Sequence, residues 1–183
     1  MKTAKLSALL AIHLLVYTAV GLEALRVNPV AALPFGGLLI WVSVHDIRRF
    51  QIPDIAVVLL VATGLVQSLK WPKTTMLDTV AGGVIWPALF WIVARGYREI
   101  RSRHGLGFGD VKLMAGIGLW CGFLGGITVV LAAALSGLAV LVILHLLNLL
   151  WRDAKHPLGR SAVAFGPFLC LSAWYVWNKG MGI

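Results

Sequence analysis

Gly107-Phe108-Gly109-Asp110-Val111-Lys112-Leu113 opens a stretch that then runs to Leu150 without another Asp, Glu, Lys or Arg. An acid at the doorstep of a membrane-length apolar segment is informative. Such segments span hydrocarbon as helices, because only there are the backbone polar groups satisfied internally. A carboxylate at that depth costs about 2.5–3.5 kcal/mol unless something holds or uses it. The chain must therefore supply Asp110 with a partner.

Composition agrees with the segment. Hydrophobic residues are 60% of the 183 and charged residues 13%, whereas soluble domains run near half apolar and about a quarter charged. A span needs roughly 20 apolar residues. Seven such stretches fall near residues 6–25, 29–46, 52–69, 76–95, 110–126, 127–150 and 162–178, with Gly125-Gly126 dividing the fifth from the sixth. The expected architecture is all-α. It is a polytopic transmembrane helical bundle of about seven spans, a six-span catalytic core plus an N-terminal span, in one domain over residues 1–183. Lys2 and Lys5 precede the first span in the manner of a signal peptide, yet no small-x-small site there leads into a polar mature domain and more spans follow, so an uncleaved anchor is expected.

Lys and Arg set the orientation. With the N-terminus in the cytoplasm, 12 of the 16 fall inside, and only Arg26, Lys70, Lys73 and Lys179 fall outside. The formal charge of +9 is thereby explained as a topology signal that meets anionic lipid headgroups, and no nucleic acid is implied. The loop from Arg95 to Arg103 carries much of it. Trp71, Trp120, Trp151 and Trp177 lie near span ends and are expected in an interfacial aromatic belt. Cys121 and Cys170 lie in apolar runs as small buried hydrophobes.

Of seven acidic residues, Glu23, Asp78, Glu99 and Asp153 fall in loops or at their edges, and Asp54 follows Pro53 as an ordinary first-turn acid. Asp46 and Asp110 remain. Asp46 ends the second span and Asp110 opens the fifth. Two complete spans separate them, and an even number of crossings returns the chain to the same face. Both carboxylates thus lie at one depth, whichever way the bundle faces. The helix dipole disfavours charge at Asp46, at a C-terminus, and favours the anion at Asp110, near an N-terminus. A pair so differentiated can share one proton. The ionised member then takes a proton from water as it attacks a peptide carbonyl, and the protonated member hydrogen-bonds the carbonyl oxygen. Singly, Asp110 reads equally well as an N-cap, and Asp46 as a partner of Arg48 or Arg49. Gly107 and Gly109 around Phe108, with Gly105 nearby, give a loop free to lie against an extended substrate.

These residues resemble a known family. Asp46-Ile47-Arg48-Arg49-Phe50-Gln51-Ile52-Pro53-Asp54 is similar to the first-aspartate segment of the type IV prepilin peptidases, the GxGD-type aspartic proteases of bacterial membranes. Gly107 to Leu113 resembles their second motif, and Phe165-Gly166-Pro167-Phe168 resembles the Phe-Gly-Pro of their last span. The resemblance implies an aspartic endopeptidase of the inner membrane that removes the basic leader from prepilins or pseudopilins at the cytoplasmic face. Asp46 and Asp110 would be catalytic, with no cofactor and no metal. Gly107, Phe108 and Gly109 would support them, Lys112 would either orient Asp110 or snorkel to the headgroups, and Gly166 and Pro167 would break a helix near the site. Ala164 stands where many members carry Pro. The larger bifunctional members also carry CxxC pairs in a methyltransferase domain. No CxxC exists here, and only Arg26-Val27-Asn28 join the first two spans, so methyl transfer is not expected.

The five histidines form no metal-ligand pattern. His13 and His145 stand alone within spans, and His45 adjoins Asp46 in sequence while pointing elsewhere. HExxH and GxSxG are absent, and the Pro-Ala-Leu that presenilin-like proteases carry near their end has no counterpart in the last third, where Pro157 and Pro167 are followed by Leu158 and Phe168. One reading from another class remains, a small transporter or channel subunit with Asp46 and Asp110 in a proton or cation path.

Overall fold

The computed structural model describes residues 2–70, 75–101, 107–150 and 163–180, and every regular element among them is an α-helix. The helices are α1 (Lys2–Val27), α2 (Pro29–Arg49), α3 (Asp54–Lys70), α4 (Met76–Arg101), α5 (Phe108–Leu150) and α6 (Gly166–Lys179). Among the described residues, three segments are long and apolar enough to cross a membrane: Pro29–Arg49, Met76–Ile100 and Phe108–Leu147. A shorter apolar segment covers Ala8–Leu22.

Local chemistry sets the ends. Asn28 caps α2 by accepting the Ala31 N–H at 3.2 Å, and Pro29 fills the first turn, where its missing N–H costs nothing. At the other end Phe50 turns left-handed (φ 52°, ψ 37°) and donates its N–H to the Asp46 carbonyl at 2.8 Å. This closes α2 one turn after Asp46 and hands the chain to Pro53 and the start of α3.

The fifth and sixth spans form one element, broken at Gly122 (φ 74°, ψ 178°) rather than at Gly125-Gly126. That combination is open only to glycine. Against α4, the first arm of α5 meets Gly82 at Gly118, and beyond the break Leu124 meets Asp78 and Gly126 meets Trp86. Along α6 the first arm reaches Ala173 at Cys121, and the second arm meets Val176 at Gly125 but Phe168 at Gly137, so the chain doubles back near the break. Asp78 is accordingly no mere loop-edge acid. Its Oδ1 accepts the Leu124 N–H at 3.3 Å, and Trp86 Nε1 donates to the Phe123 carbonyl at 3.0 Å, which holds the turn from α4. Gly82 and Gly118 lie backbone to backbone, where any side chain would overlap the other's carbonyl.

Two further expectations change. Residues 95–101 continue α4 as helix instead of starting a loop, and Arg95 pairs with Glu99 one turn on at 3.0 Å. The aromatic belt also fails where it can be checked. Trp120 and Trp177 are buried in a stack with Phe35 and Trp174, in which Phe35 and Trp120 lie 4.2 Å apart at 12°. Trp120 Nε1 donates to the Leu60 carbonyl and Trp174 Nε1 to the Tyr17 carbonyl, so one cluster joins α1, α2, α3, α5 and α6. Buried indoles need acceptors, and these helices supply them for Trp120 and Trp174. Trp71 and Trp151 lie outside the described residues, as do Gly105, His104, Asp153 and His156.

Candidate active site

Asp46 lies in the last turn of α2 and Asp110 in the first turn of α5, 6% and 8% exposed. Gly109, next to Asp110, packs against Ile52, six residues after Asp46, so the start of α5 lies beside the end of α2. The two acids that parity places at one depth are thereby within electrostatic reach of one another. Cys170 on α6 is fully buried and within electrostatic reach of both.

The hydrogen bonds around them come from helix ends. Gly166 N–H, the first of α6, donates to Asp46 Oδ2 at 3.1 Å. Asp110 N–H donates to the Gly107 carbonyl at 3.1 Å and closes the entry to α5. Pro167 occupies the first turn of α6.

The glycines work differently from the expectation. Phe108 and Gly109 belong to the first turn of α5, and the positive-φ residues among those described are Phe50 and Gly122. No free loop spans Phe108 to Asp110. Gly109 instead permits close approach, since a Cβ there would stand 3.1 Å from Ile52 Cβ. Gly107 faces Asp110, with a notional Cβ 3.3 Å from Oδ2.

Lys112 turns toward Asp54 rather than Asp110. Its Nζ lies 2.5 Å from Asp54 Oδ1 and 5.1 Å from the centre of the Phe108 ring, which is 59% exposed. It ties the start of α5 to the start of α3 and does not touch Asp110. Asp54 is therefore a site neighbour that the first-turn reading missed. The signal was available, because the same parity that pairs Asp46 with Asp110 puts Asp54 and Lys112 on one face.

These helix ends are matched by sequence kinship. The model of the type IV leader peptidase family matches residues 33–142, more than half of the chain. The chain belongs to this family. The leader peptidase HopD of Escherichia coli is 34% identical over 156 residues, covering 81% of this chain and 96% of that protein. The prepilin leader peptidase/N-methyltransferase of Pectobacterium carotovorum subsp. carotovorum is 31% identical over 140 residues, 76% of this chain and 48% of its own length. Its counterpart in Escherichia coli K12 is 31% identical over 131 residues, or 72% and 55%. The chain thus spans about half the length of these two-activity relatives. No solved structure matches. Nothing in this kinship supports the ion-path reading of the two acids.

The family match begins within α2, yet α1 is tied to the site's scaffold. His13, far from solitary, hydrogen-bonds Leu9 O through Nδ1 and Ser43 Oγ through Nε2, each at 2.9 Å. A carbonyl only accepts, so Nδ1 carries the proton, and in the neutral ring Nε2 accepts from Ser43. Ser43 is buried, three residues before Asp46. His45 Nδ1 likewise bonds the Gln51 carbonyl at 2.8 Å, which holds the turn after α2.

Proposed function

We propose that this chain is a membrane-embedded aspartic endopeptidase that removes the basic leader from type IV prepilins or pseudopilins at the cytoplasmic face of the inner membrane. Family membership supports the reaction class. The observation that carries the site is two buried carboxylates, 64 residues apart in sequence, at helix ends that pack together through Gly109 and Ile52 and within electrostatic reach of one another. Charge asymmetry supports a cytoplasmic N-terminus and about seven crossings in one domain. Two cysteines without a CxxC give no basis for methyl transfer within these 183 residues.

Asp46 and Asp110 form the catalytic pair. Two like charges side by side in a poorly solvated site do not both ionise, so the pair holds one proton. Its ionised member draws a proton from water as the oxygen adds to the peptide carbonyl, and its protonated member stabilises the developing oxyanion. Gly107, Gly109, Gly166 and Pro167 shape the helix ends that carry these groups, and Phe108 and Lys112 form the exposed rim. The scissile peptide must be locally extended to present its carbonyl, because a helix has no free backbone edge.

Co-expression with a model prepilin tests this directly. Leader removal is followed by the shift in precursor size, with Asp46→Asn and Asp110→Asn made separately. Each variant is expected to abolish processing while remaining in the membrane. Full processing by either one sinks the shared-proton pair. For the active chain, kcat/KM against pH is expected to be bell-shaped, since losing or doubling the shared proton stops the reaction.

A further inference from the structure

The sequence alone orders the pair by dipoles, with Asp46 the disfavoured anion. The packing adds a group that the dipole count leaves out. In the first turn of α6, Pro167 has no N–H, and the Phe168 and Leu169 N–H groups both bond the Phe165 carbonyl at 3.1 and 3.3 Å. The Gly166 N–H is left to point outward, and it ends on Asp46 Oδ2. An amide N–H only donates, so the oxygen facing it must accept, and an ionised carboxylate is the stronger acceptor. The N-terminal end of α6 adds positive potential at the same atom.

The position also tolerates no side chain. A Cβ on Gly166 would stand 2.6 Å from Asp46 Oδ2 and 3.2 Å from its carboxyl carbon. The glycine is needed there for approach, not for backbone freedom.

Asp110 is served differently. Its nearest cation in sequence, Lys112, is engaged by Asp54 at 2.5 Å. What remains is the first-turn field of α5 and a backbone contact from Gly107, both from the start of its own helix, while the repulsion between the two carboxylates is mutual and orders neither. Cys170 from α6 brings a thiol to both acids and distinguishes neither.

We infer that Asp46 is the ionised, water-activating member of the pair, that Asp110 carries the shared proton, and that the Gly166 amide is the positioning group that fixes this order. The inference deepens the peptidase reading and rests on it for its catalytic meaning. Asp46 then removes a proton from water. The oxygen adds to the carbonyl carbon while Asp110 passes its proton to the carbonyl oxygen, giving a gem-diol. As the C–N bond breaks, the Asp46 proton goes to the leaving nitrogen. Asp110 recovers a proton from a gem-diol hydroxyl, and the pair returns to its starting state.

Dicyclohexylcarbodiimide, an apolar carbodiimide, distinguishes the two acids in the resting full-length chain. It takes the proton of a protonated carboxyl onto its nitrogen and adds the carboxyl oxygen to its central carbon, and rearrangement leaves a stable N-acylurea. Peptide mass spectrometry is expected to place the adduct on Asp110, with Asp46 at least about tenfold less modified, the ratio set by a proton localised on one partner. Preferential labelling of Asp46, equal labelling, or no adduct on Asp110 each overturns the assignment. In Gly166→Ala, displaced Asp46 is expected to gain label, and kcat to fall about 100-fold with KM within about twofold, as for a small misplacement of a reacting group. An unchanged labelling pattern in that variant removes Gly166 from the account. Labelling reports protonation whether or not the chain cuts anything. Should both Asn variants still process prepilin while Asp110 is labelled, the peptidase reading fails and the proton assignment stands.

Discussion

A methyl group on Gly109 would stand 3.1 Å from Ile52 Cβ and 3.2 Å from its Cγ1. These are branched atoms near the backbone, so the first turn of α5 itself must yield. Gly109→Ala is therefore expected to cost about 1–3 kcal/mol of overpacking. By moving Asp110 it should also lower prepilin cleavage about 100-fold. Thermal unfolding in detergent and initial cleavage rates measure the two effects. The Lys112–Asp54 pair, whose side chains are 35% and 74% exposed, is a weaker tie. Exposed pairs contribute roughly 0–1 kcal/mol. Lys112→Gln and Asp54→Asn are each expected to slow cleavage less than about tenfold, and the double charge swap to recover most of the loss. Failure of the swap to recover activity, with both single variants impaired, would show that Lys112 acts on something other than Asp54. The two acids were legible in the sequence because parity needs only a count of crossings. The Gly166 hydrogen bond was not, since no residue pattern tells which backbone N–H remains unpaired after the turn closes.

At the scale of the helix, the break at Gly122 is what folds α5 into two arms along α4. Its φ of 74° with ψ of 178° belongs to the region other residues pay about 1–3 kcal/mol to enter. Gly122→Ala is expected to lower stability by at least that range. Gly125→Ala is the control, because its Cβ would meet Cys121 Cβ at 3.2 Å and Val176 Cγ1 at 3.6 Å, which a small shift relieves. Comparable losses in the two variants would put the turn back at Gly125-Gly126. The two apolar arms were readable from length, but the turn was not. Gly122, Gly125 and Gly126 look alike in sequence, and only packing against Asp78 and Trp86 selects one. The helical continuation of α4 through Arg101 was likewise hidden. A basic run signals the membrane side, whereas its helicity comes from Ala, Arg and Glu propensity and the Arg95–Glu99 pair.

Across the whole molecule, Trp174 is a residue of α6 on which α1 and α2 converge. It stacks on Tyr17 of α1 at 5.9 Å and on Trp177 at 5.6 Å, lies tilted against Phe35 of α2 at 6.0 Å, and its Nε1 donates to the Tyr17 carbonyl at 2.8 Å. Gly21 and Gly36 make room for it, since a Cβ at Gly21 would overlap the indole and one at Gly36 would stand 3.1 Å from Cη2. Interfacial tryptophans and core tryptophans have the same sequence signature near a span end, which is why the belt reading failed for Trp120 and Trp177. The consequence reaches the site, because α6 carries both Trp174 and, two turns earlier, the Gly166 amide on Asp46. Trp174→Ala is expected to cost about 3–5 kcal/mol as a large-to-small core change. It should also release α1 and let α6 shift, so cleavage falls even below the unfolding temperature. Trp174→Phe keeps a ring but loses the bond to Tyr17 O, and is expected to cost about 1–3 kcal/mol with most activity kept. Protease accessibility of α1, thermal unfolding and cleavage rate, read together, decide the matter. If Trp174→Ala lowers stability while leaving the rate at low temperature unchanged, α6 holds Gly166 against Asp46 without help from the aromatic core.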